Sequence, residues 1–421
     1  MDYRIDEKDR KILRELAKKQ LELSQEECNQ RRIKEWYLHN DLKGEKPMVQ
    51  LEMWGFTHET ILPRQKCTGE FAREIEFGLY TNFLNQELFD DDRVTPDFYG
   101  MNYEAGYVLF GLEQKKQVIN ADTAGNGGSQ HIIPVIEDLE EDYHLFGETR
   151  MGFDLKKTEA KRATVEETIG DILPVRMKMD GLYSVPMQNM VNFMGMQNMM
   201  YALADCPDLF KRVLDRIAED TLAYYRMLEE NRLILPTISF ENVAQGSMAF
   251  THDLPGEEEW KKRPFTTKDV WGFMDAQETV SISPDMYEEI VFPCYEKVSS
   301  AFGLLSYGCC EPVSRFWDRC ISRLKNLRKV SISPWCDEAF MGERLAGTNV
   351  IYYRKPSSLF LGTGTTLDEE AIRKHIRYSL ECARGCKMEI TQRDIYTINH
   401  DEAKARRYVE IIRDEIDRHW K

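Results

Sequence analysis

The chain lacks most of the short signatures that mark a catalytic centre. No C-x-x-C pair occurs, which excludes a zinc ribbon or a thioredoxin-type motif. H-E-x-x-H and G-x-S-x-G are absent, as are a P-loop string and a G-x-G-x-x-G following a strand, so dinucleotide and nucleotide-phosphate folds are disfavoured. No apolar run reaches the length of about 18 residues that a membrane-spanning helix needs. Positive charge is in deficit: 56 Lys and Arg against 72 Asp and Glu give a net charge of −16. Such a surface repels nucleic acid and anionic membrane, so neither is expected as a partner. The start of the chain, Met1-Asp2-Tyr3-Arg4-Ile5-Asp6, is charged and carries no signal-type apolar segment, so a cytoplasmic protein is expected. Histidine is scarce, and His131, His252 and His400 stand alone, each reading as a surface or satisfied side chain. The ten cysteines are scattered and read as thiols in a reducing compartment.

What the chain does have is length and apolar content: 421 residues, 42% of them hydrophobic, enough for a large core. Residues 1–45 are rich in Lys, Glu, Gln and Arg with apolar residues at helical spacing, and read as a helical extension. From residue 46 onward, short apolar strands alternate with helices. Strands are expected at 47–54, 182–185, 234–240, 269–275, 304–309, 329–333, 349–353 and 387–391. Helices are expected at 66–90, 186–201, beyond Pro207, 283–301, 314–324, 338–345, 368–383 and 401–420. The Gly-rich stretch 121–130 reads as a loop. Alternation of this kind implies parallel βαβ units, and four in succession favour an α/β fold, a single (β/α)8 TIM barrel over 46–421.

Barrel active sites lie at the C-terminal ends of the strands. Those ends carry Glu52 and Trp54, Glu241 and Asn242, Asp275 and Gln277, Cys309 to Glu311, Trp335 to Asp337, Arg354 and Lys355, and Asp394. Tyr307-Gly308-Cys309-Cys310-Glu311-Pro312 stands out among them, because two adjacent thiols and a carboxylate can hold a soft metal or act as reactive groups. Strand alternation places Tyr307, Cys309 and Glu311 on one face. The plainer reading is two small side chains packed at a strand end. Asp275 follows an apolar strand and needs a partner if buried. Arg354 and Lys355 could clamp a carboxylate or phosphate, or pair with loop acids.

One stretch resembles a known family. Asp275-Ala276-Gln277, then Ser283-Pro284-Asp285-Met286-Tyr287-Glu288-Glu289, Pro293 and the strand into Cys309 are similar to the uroporphyrinogen decarboxylase superfamily. Asn192-Phe193-Met194-Gly195 and Ala204-Asp205-Cys206-Pro207-Asp208-Leu209 extend the likeness over 180–420, with a looser match at 48–110. The resemblance implies a TIM barrel with N-terminal helices, in a decarboxylase-like bacterial subfamily. The true decarboxylases carry an R-Q-A-G-R string, to which Arg64-Gln65-Lys66 is the nearest approach here. In the corrinoid-linked methyltransferase branch, zinc is held by H-x-C and a later Cys. There Cys309 matches the first Cys, Tyr307 replaces the His and Asp394 replaces the last Cys. The resemblance therefore implies zinc on Cys309, Cys310 and Asp394, with Glu311 as a further candidate ligand, and a corrinoid carried by a small partner protein. Asp275, Glu311 and Asp394 are the candidate catalytic groups. Trp54, Glu241, Gln277, Tyr307, Arg354 and Lys355 are the candidates for binding a small-molecule substrate. Three functions stay open at this point: methyl transfer, metal-independent decarboxylation or lysis of a carboxylated substrate, and an inactive corrinoid-binding scaffold. A homodimer is a further expectation, since barrel relatives often dimerise.

Overall fold

A computed structural model describes residues 3–118 and 130–420. The stretch 121–129, most of the Gly-rich segment expected as a loop, lies outside the described residues, and Gln130 opens a strand, Gln130–Ile133.

The centre is one sheet of seven parallel strands. In chain order they are β1 (Met48–Leu51), β2 (Leu182–Ser184), β3 (Trp271–Met274), β4 (Leu304–Tyr307), β5 (Leu327–Ile332), β6 (Ile351–Arg354) and β7 (Met388–Gln392). They pair in the order β1-β7-β6-β5-β4-β3-β2. Near-continuous burial along β1 and β3 to β7 is what parallel strands covered on both faces require.

Among the described residues no strand joins β2 to β1, and the open edges are satisfied in another way. Asp92 accepts from the amide of Val49 at 2.6 Å and Asp91 from that of Leu51 at 2.8 Å. On the far side Asp180 accepts from Asn242 N at 2.9 Å, and Gly181 N donates to Asn242 O at 2.8 Å. The Arg93 guanidinium donates to Asn242 Oδ1 at 3.5 Å across the gap. The β1 edge amides are thus capped by two aspartates, and the chain entering β2 is tied to Asn242 through Asp180 and Gly181.

The helices at the N-terminus form as the periodicity predicts, at Glu7–Gln25 and Glu27–Asn40, the first capped by Asp6. Two expectations differ. Residues 234–240 form no ladder: Thr237 Oγ1 accepts from Trp271 N at 2.9 Å, so the segment runs beside β3 on a side-chain contact. Residues 314–324 make two short 3-10 turns, Val313–Arg315 and Ile321–Arg323, in place of a helix. Pro312 removes one amide donor just ahead of the first turn.

The lower interior holds a buried ionic layer. Lys329 Nζ lies 2.9 Å from Glu389 Oε2 and 2.6 Å from Ser247 Oγ, and His39 Nε2 lies 3.1 Å from the same Glu389 oxygen. Lys329 and Glu389 are essentially inaccessible to solvent. Burial opposes ionisation of Glu389, but the Lys329 ammonium and the His39 hydrogen bond outweigh it and depress its pKa to about 2.

Candidate functional site: an arginine-held thiol beside two buried acids

Strand β7 sends Glu389, Thr391 and then Arg393 to the same interior face, the period-2 rule continued past the strand end. Arg393 therefore rises from the ionic layer toward the mouth. Its Nη1 lies 2.7 Å from Cys309 Sγ, its Nε donates to Glu52 at 3.3 Å, and its Nη2 sits 3.1 Å from Asp394 Oδ1. Asp394 adopts a left-handed backbone (φ 57°), a conformation Asp tolerates better than most residues. Its other oxygen accepts from Cys310 Sγ at 3.4 Å.

The thiols reach this point because of Gly308. Leu305 and Tyr307 point outward, and simple alternation would carry Cys309 with them. Gly308 has φ +96°, which breaks the alternation and turns Cys309 back over the mouth. A Cβ at Gly308 would also come within 3.1 Å of the Ser331 Cβ and 3.3 Å of the Val313 side chain. Glu311 then clamps the loop, accepting from Cys309 N at 2.8 Å and Ala276 N at 2.9 Å. With both oxygens engaged by backbone it is a positioning residue and not a free acid.

Cys309 and Cys310 sit with their sulfurs 3.5 Å apart. Donation from Cys310, aided by Lys355 and Arg393 and opposed by burial, lowers the Cys309 pKa to about 7. The same bond, with burial, pushes the Cys310 thiol upward. One thiolate and one thiol donor are the result, a division of roles that the adjacent pair imposes on itself.

Across the mouth stand two buried acids. Burial, then the charges of Glu311, Cys309 and Glu278, drive Asp275 well above the carboxylate range. Burial raises Glu278 to about 7. Asp275 Oδ1 and Glu278 Oε2 are both buried with no hydrogen-bond partner among the described residues. Orphaned oxygens of this kind normally carry a cost of about 1–3 kcal/mol each, and they cluster where a ligand completes the site. Gln245 Nε2 touches Asp275 Oδ2 at 3.5 Å, while its Oε1 accepts from Lys355 Nζ at 3.0 Å.

The residues read from the sequence separate into two groups. Asp275, Cys309, Cys310, Glu311, Lys355 and Asp394 converge. Trp54 stands at the rim, 73% exposed. Gln277 lies beside Glu278 and reaches Gln188 at 3.5 Å. The other three point elsewhere. Tyr307 is fully buried on the outer face of β4, its hydroxyl 2.6 Å from that of Tyr287. Glu241 turns back on its own segment and accepts from Ser239 N at 2.7 Å, because it is Gln245 of the following hairpin that reaches the mouth. Arg354 faces the outer helices: it donates to Glu338 at 2.6 Å, to Ser379 at 3.2 Å and to three backbone carbonyls, with His375 Nε2 at 3.0 Å. Adjacent strand residues point to opposite faces, so Arg354 and Lys355 could not both enter. Arg354→Lys is expected to lower stability by about 1–3 kcal/mol, since one ammonium cannot reproduce the planar fork. The thiol reactivity of Cys309 should not change. Chemical denaturation and alkylation kinetics check the two halves.

Sequence reasoning missed Arg393, Glu278 and Gln245. Arg393 was legible, two residues beyond Thr391 on the inward face. Glu278 and Gln245 lie in turns whose direction no periodicity gives.

Cys309, Cys310 and Asp394 do come together, yet a guanidinium nitrogen already lies on Cys309 Sγ and another on Asp394 Oδ1. Among the described residues no group of three His, Cys, Asp or Glu side chains is placed to hold a metal ion. The arrangement fits an arginine-held thiolate and does not fit a closed zinc centre.

Two cavities are lined by residues that neighbour the cluster. One, of about 260 Å³, is bordered by Glu52, Trp54 and Gln245. The larger, of about 900 Å³, is lined by Tyr183 and by Gln188, which contacts Gln277 beside Glu278. No helix among the described residues is long and apolar enough to cross a membrane.

Fold and site together define an α/β protein with a seven-stranded parallel sheet and a thiol–acid cluster at the C-terminal ends of its strands. No family model matches the sequence, and no curated protein matches it. Among solved structures the chain is similar to a methyltransferase from Methanosarcina mazei, at 13% identity and a TM-score of 0.47, over 93% of this chain and 99% of that one. It is more distantly similar to a B12-independent methionine synthase from Shewanella sp. W3-18-1 in complex with selenomethionine, at 12% identity and a TM-score of 0.28, over 74% and 77% of the two chains.

Proposed function

We propose that the chain is a methyltransferase that moves a methyl group from a small methylated substrate to a reduced corrinoid carried by a partner protein. The sheet is the wall of a (β/α)8-type barrel in which the capped gap between β1 and β2 takes the place of one strand. The geometry that carries this reading is the Cys309 thiol, held between Cys310 and Arg393, close to two buried carboxyls, Asp275 and Glu278, each with one oxygen that has no hydrogen-bond partner among the described residues.

Cys309 Sγ attacks the methyl carbon. An S–CH3 bond forms as the methyl–heteroatom bond breaks, and the electron pair stays on the heteroatom. That atom takes the proton of Asp275 or Glu278, so the leaving group departs neutral. Arg393 holds the thiolate and Cys310 donates to it. A reduced corrinoid on the partner would supply the nucleophile that accepts the methyl group, with the C–S electron pair returning to Cys309 as thiolate. Trp54, Trp335, Leu359 and Tyr396, exposed by 62–73% on loops after four different strands, support a protein partner over the mouth. The competing decarboxylase reading loses Arg354, its main carboxylate clamp, to the outer face.

The test is single-turnover reaction with a methyl donor without the corrinoid partner, followed by peptide mass spectrometry. A methyl adduct on Cys309 that disappears in Cys309→Ser is expected. An unmodified Cys309 alongside normal turnover, or one tightly bound zinc per chain by elemental analysis, would overturn it. The rate of the first transfer should peak near pH 7. The thiolate forms as pH rises through about 7, while Glu278 loses its proton above about 7.

A further inference from the structure

The chamber of about 900 Å³ beside β2 is at the upper end of the range for small-molecule sites. Its walls are aromatic. On one side Tyr107 and Tyr224 stack with centroids 4.5 Å apart and planes at 25°. On the other Tyr183 lies over Phe273, its partner in strand register, at 5.2 Å and 3°. Asp275 is the next inward residue after Phe273, so this second wall leads to the acids. Tyr183 shares their field: desolvation, then the charges of Asp275, Cys309 and Glu278, hold its hydroxyl above the usual phenol range. Tyr183 is 51% exposed despite lying inside the sheet, because it opens into the chamber.

The polar lining is uncharged or already paired. Lys178 Nζ is 3.1 Å from Asp180, and Glu113 is 3.0 Å from Arg150. The remaining side-chain groups are tyrosine hydroxyls and amides, with Gln188 Nε2 donating to Asn192 Oδ1 at 3.2 Å and Gln188 Oε1 taking the contact from Gln277. A ligand charge brought here would find no free counter-charge among the described residues, a costly arrangement. A flat ring suits a chamber with aromatic side chains on two walls, and amides can read its hydroxyl or carbonyl groups.

We infer that this chamber binds the methyl donor, and that the donor is an uncharged planar aromatic compound carrying its methyl on a ring oxygen. The inference rests on the methyltransferase reading, which it deepens by naming the substrate class. The ring lies along Tyr183 with the methoxy group at the Gln188–Gln277 end, where Asp275 or Glu278 protonates the departing phenolic oxygen.

Binding tests it separately from turnover. Calorimetric titration of the intact chain would use 2-methoxyphenol, its saturated analogue 2-methoxycyclohexanol, and 2-methoxybenzoate as the anionic control. The phenol is expected to bind at least about tenfold more tightly than either control. Tyr183→Ala should remove that preference, and Tyr107→Leu, on the opposite wall, should weaken the phenol alone by about tenfold. Equal binding of ring and saturated analogue, or tighter binding of the anion, would overturn the inference. Phenol binding without any methyl adduct on Cys309 would leave the chamber standing and sink the methyltransferase reading. Adduct formation from non-aromatic donors only would do the reverse.

Discussion

Cys310→Ala is expected to slow alkylation of Cys309 at pH 7 by about tenfold or more. An isolated thiol titrates near 8.5, where only a few per cent is ionised at neutral pH. Cys309 is held at about 7 first by the Cys310 hydrogen bond and then by the Lys355 and Arg393 charges. Burial acts in the opposite direction, so loss of the donor leaves desolvation less opposed. Alkylation rates with iodoacetamide, mapped to Cys309 by mass spectrometry between pH 5.5 and 9.5, should show a midpoint near 7 in the natural chain. In Cys310→Ala the midpoint should move to higher pH. Arg393→Gln should move it the same way by a smaller step, since Lys355 remains. A midpoint that stays near 7 in both variants would mean that neither contact sets the thiol's ionisation. The thiolate role in methyl transfer would then lack its physical basis.

Lys329→Met should destabilise the fold by about 3–5 kcal/mol at pH 7, because it strands the Glu389 carboxylate in the interior without its counter-ion. Lys329→Met combined with Glu389→Gln should regain much of that loss, since neutral groups of similar size avoid the desolvation of two charges. The pH dependence has a definite sign. Glu389 is depressed to about 2 in the fold, below the value near 4.3 of an unfolded glutamate. Its contribution is complete above that unfolded value and declines as pH falls toward 2. Urea midpoints at pH 7 and pH 4 for the single and double variants measure both effects. A single variant as stable as the natural chain would show that the ionic layer is dispensable.

Both predictions depend on which side chains share the interior of the sheet, and the sequence revealed that only in part. Periodicity located β1 to β7 and the terminal helices, because parallel strands covered by helices are short apolar runs between amphipathic helices. It failed at 234–240, where an apolar run is buried by packing beside β3 without joining a ladder. It failed again after Pro312, where helical spacing collapses into 3-10 turns. At the site, the strand-end rule delivered Asp275, Cys309, Cys310, Lys355 and Asp394 to one mouth. It also offered Tyr307, Glu241 and Arg354, which belong to the outer face or to a local turn. The alternation rule states that Arg354 and Lys355 oppose each other. Nothing in the sequence states which of the two points inward.

By itself, then, the sequence determined an α/β chain of alternating strands and helices, acidic overall, with a thiol pair and its acids at strand ends. Those properties are local, set by hydrophobic period and residue chemistry. Only the tertiary structure decided that Gly308 turns Cys309 inward, that Arg393 is the cation against it, and that Glu278 and Asp275 keep free oxygens beside it. Those facts depend on contacts between residues distant in the chain, of which Cys309 and Arg393 are 84 positions apart. Backbone direction and burial fix such contacts, and no local pattern encodes them.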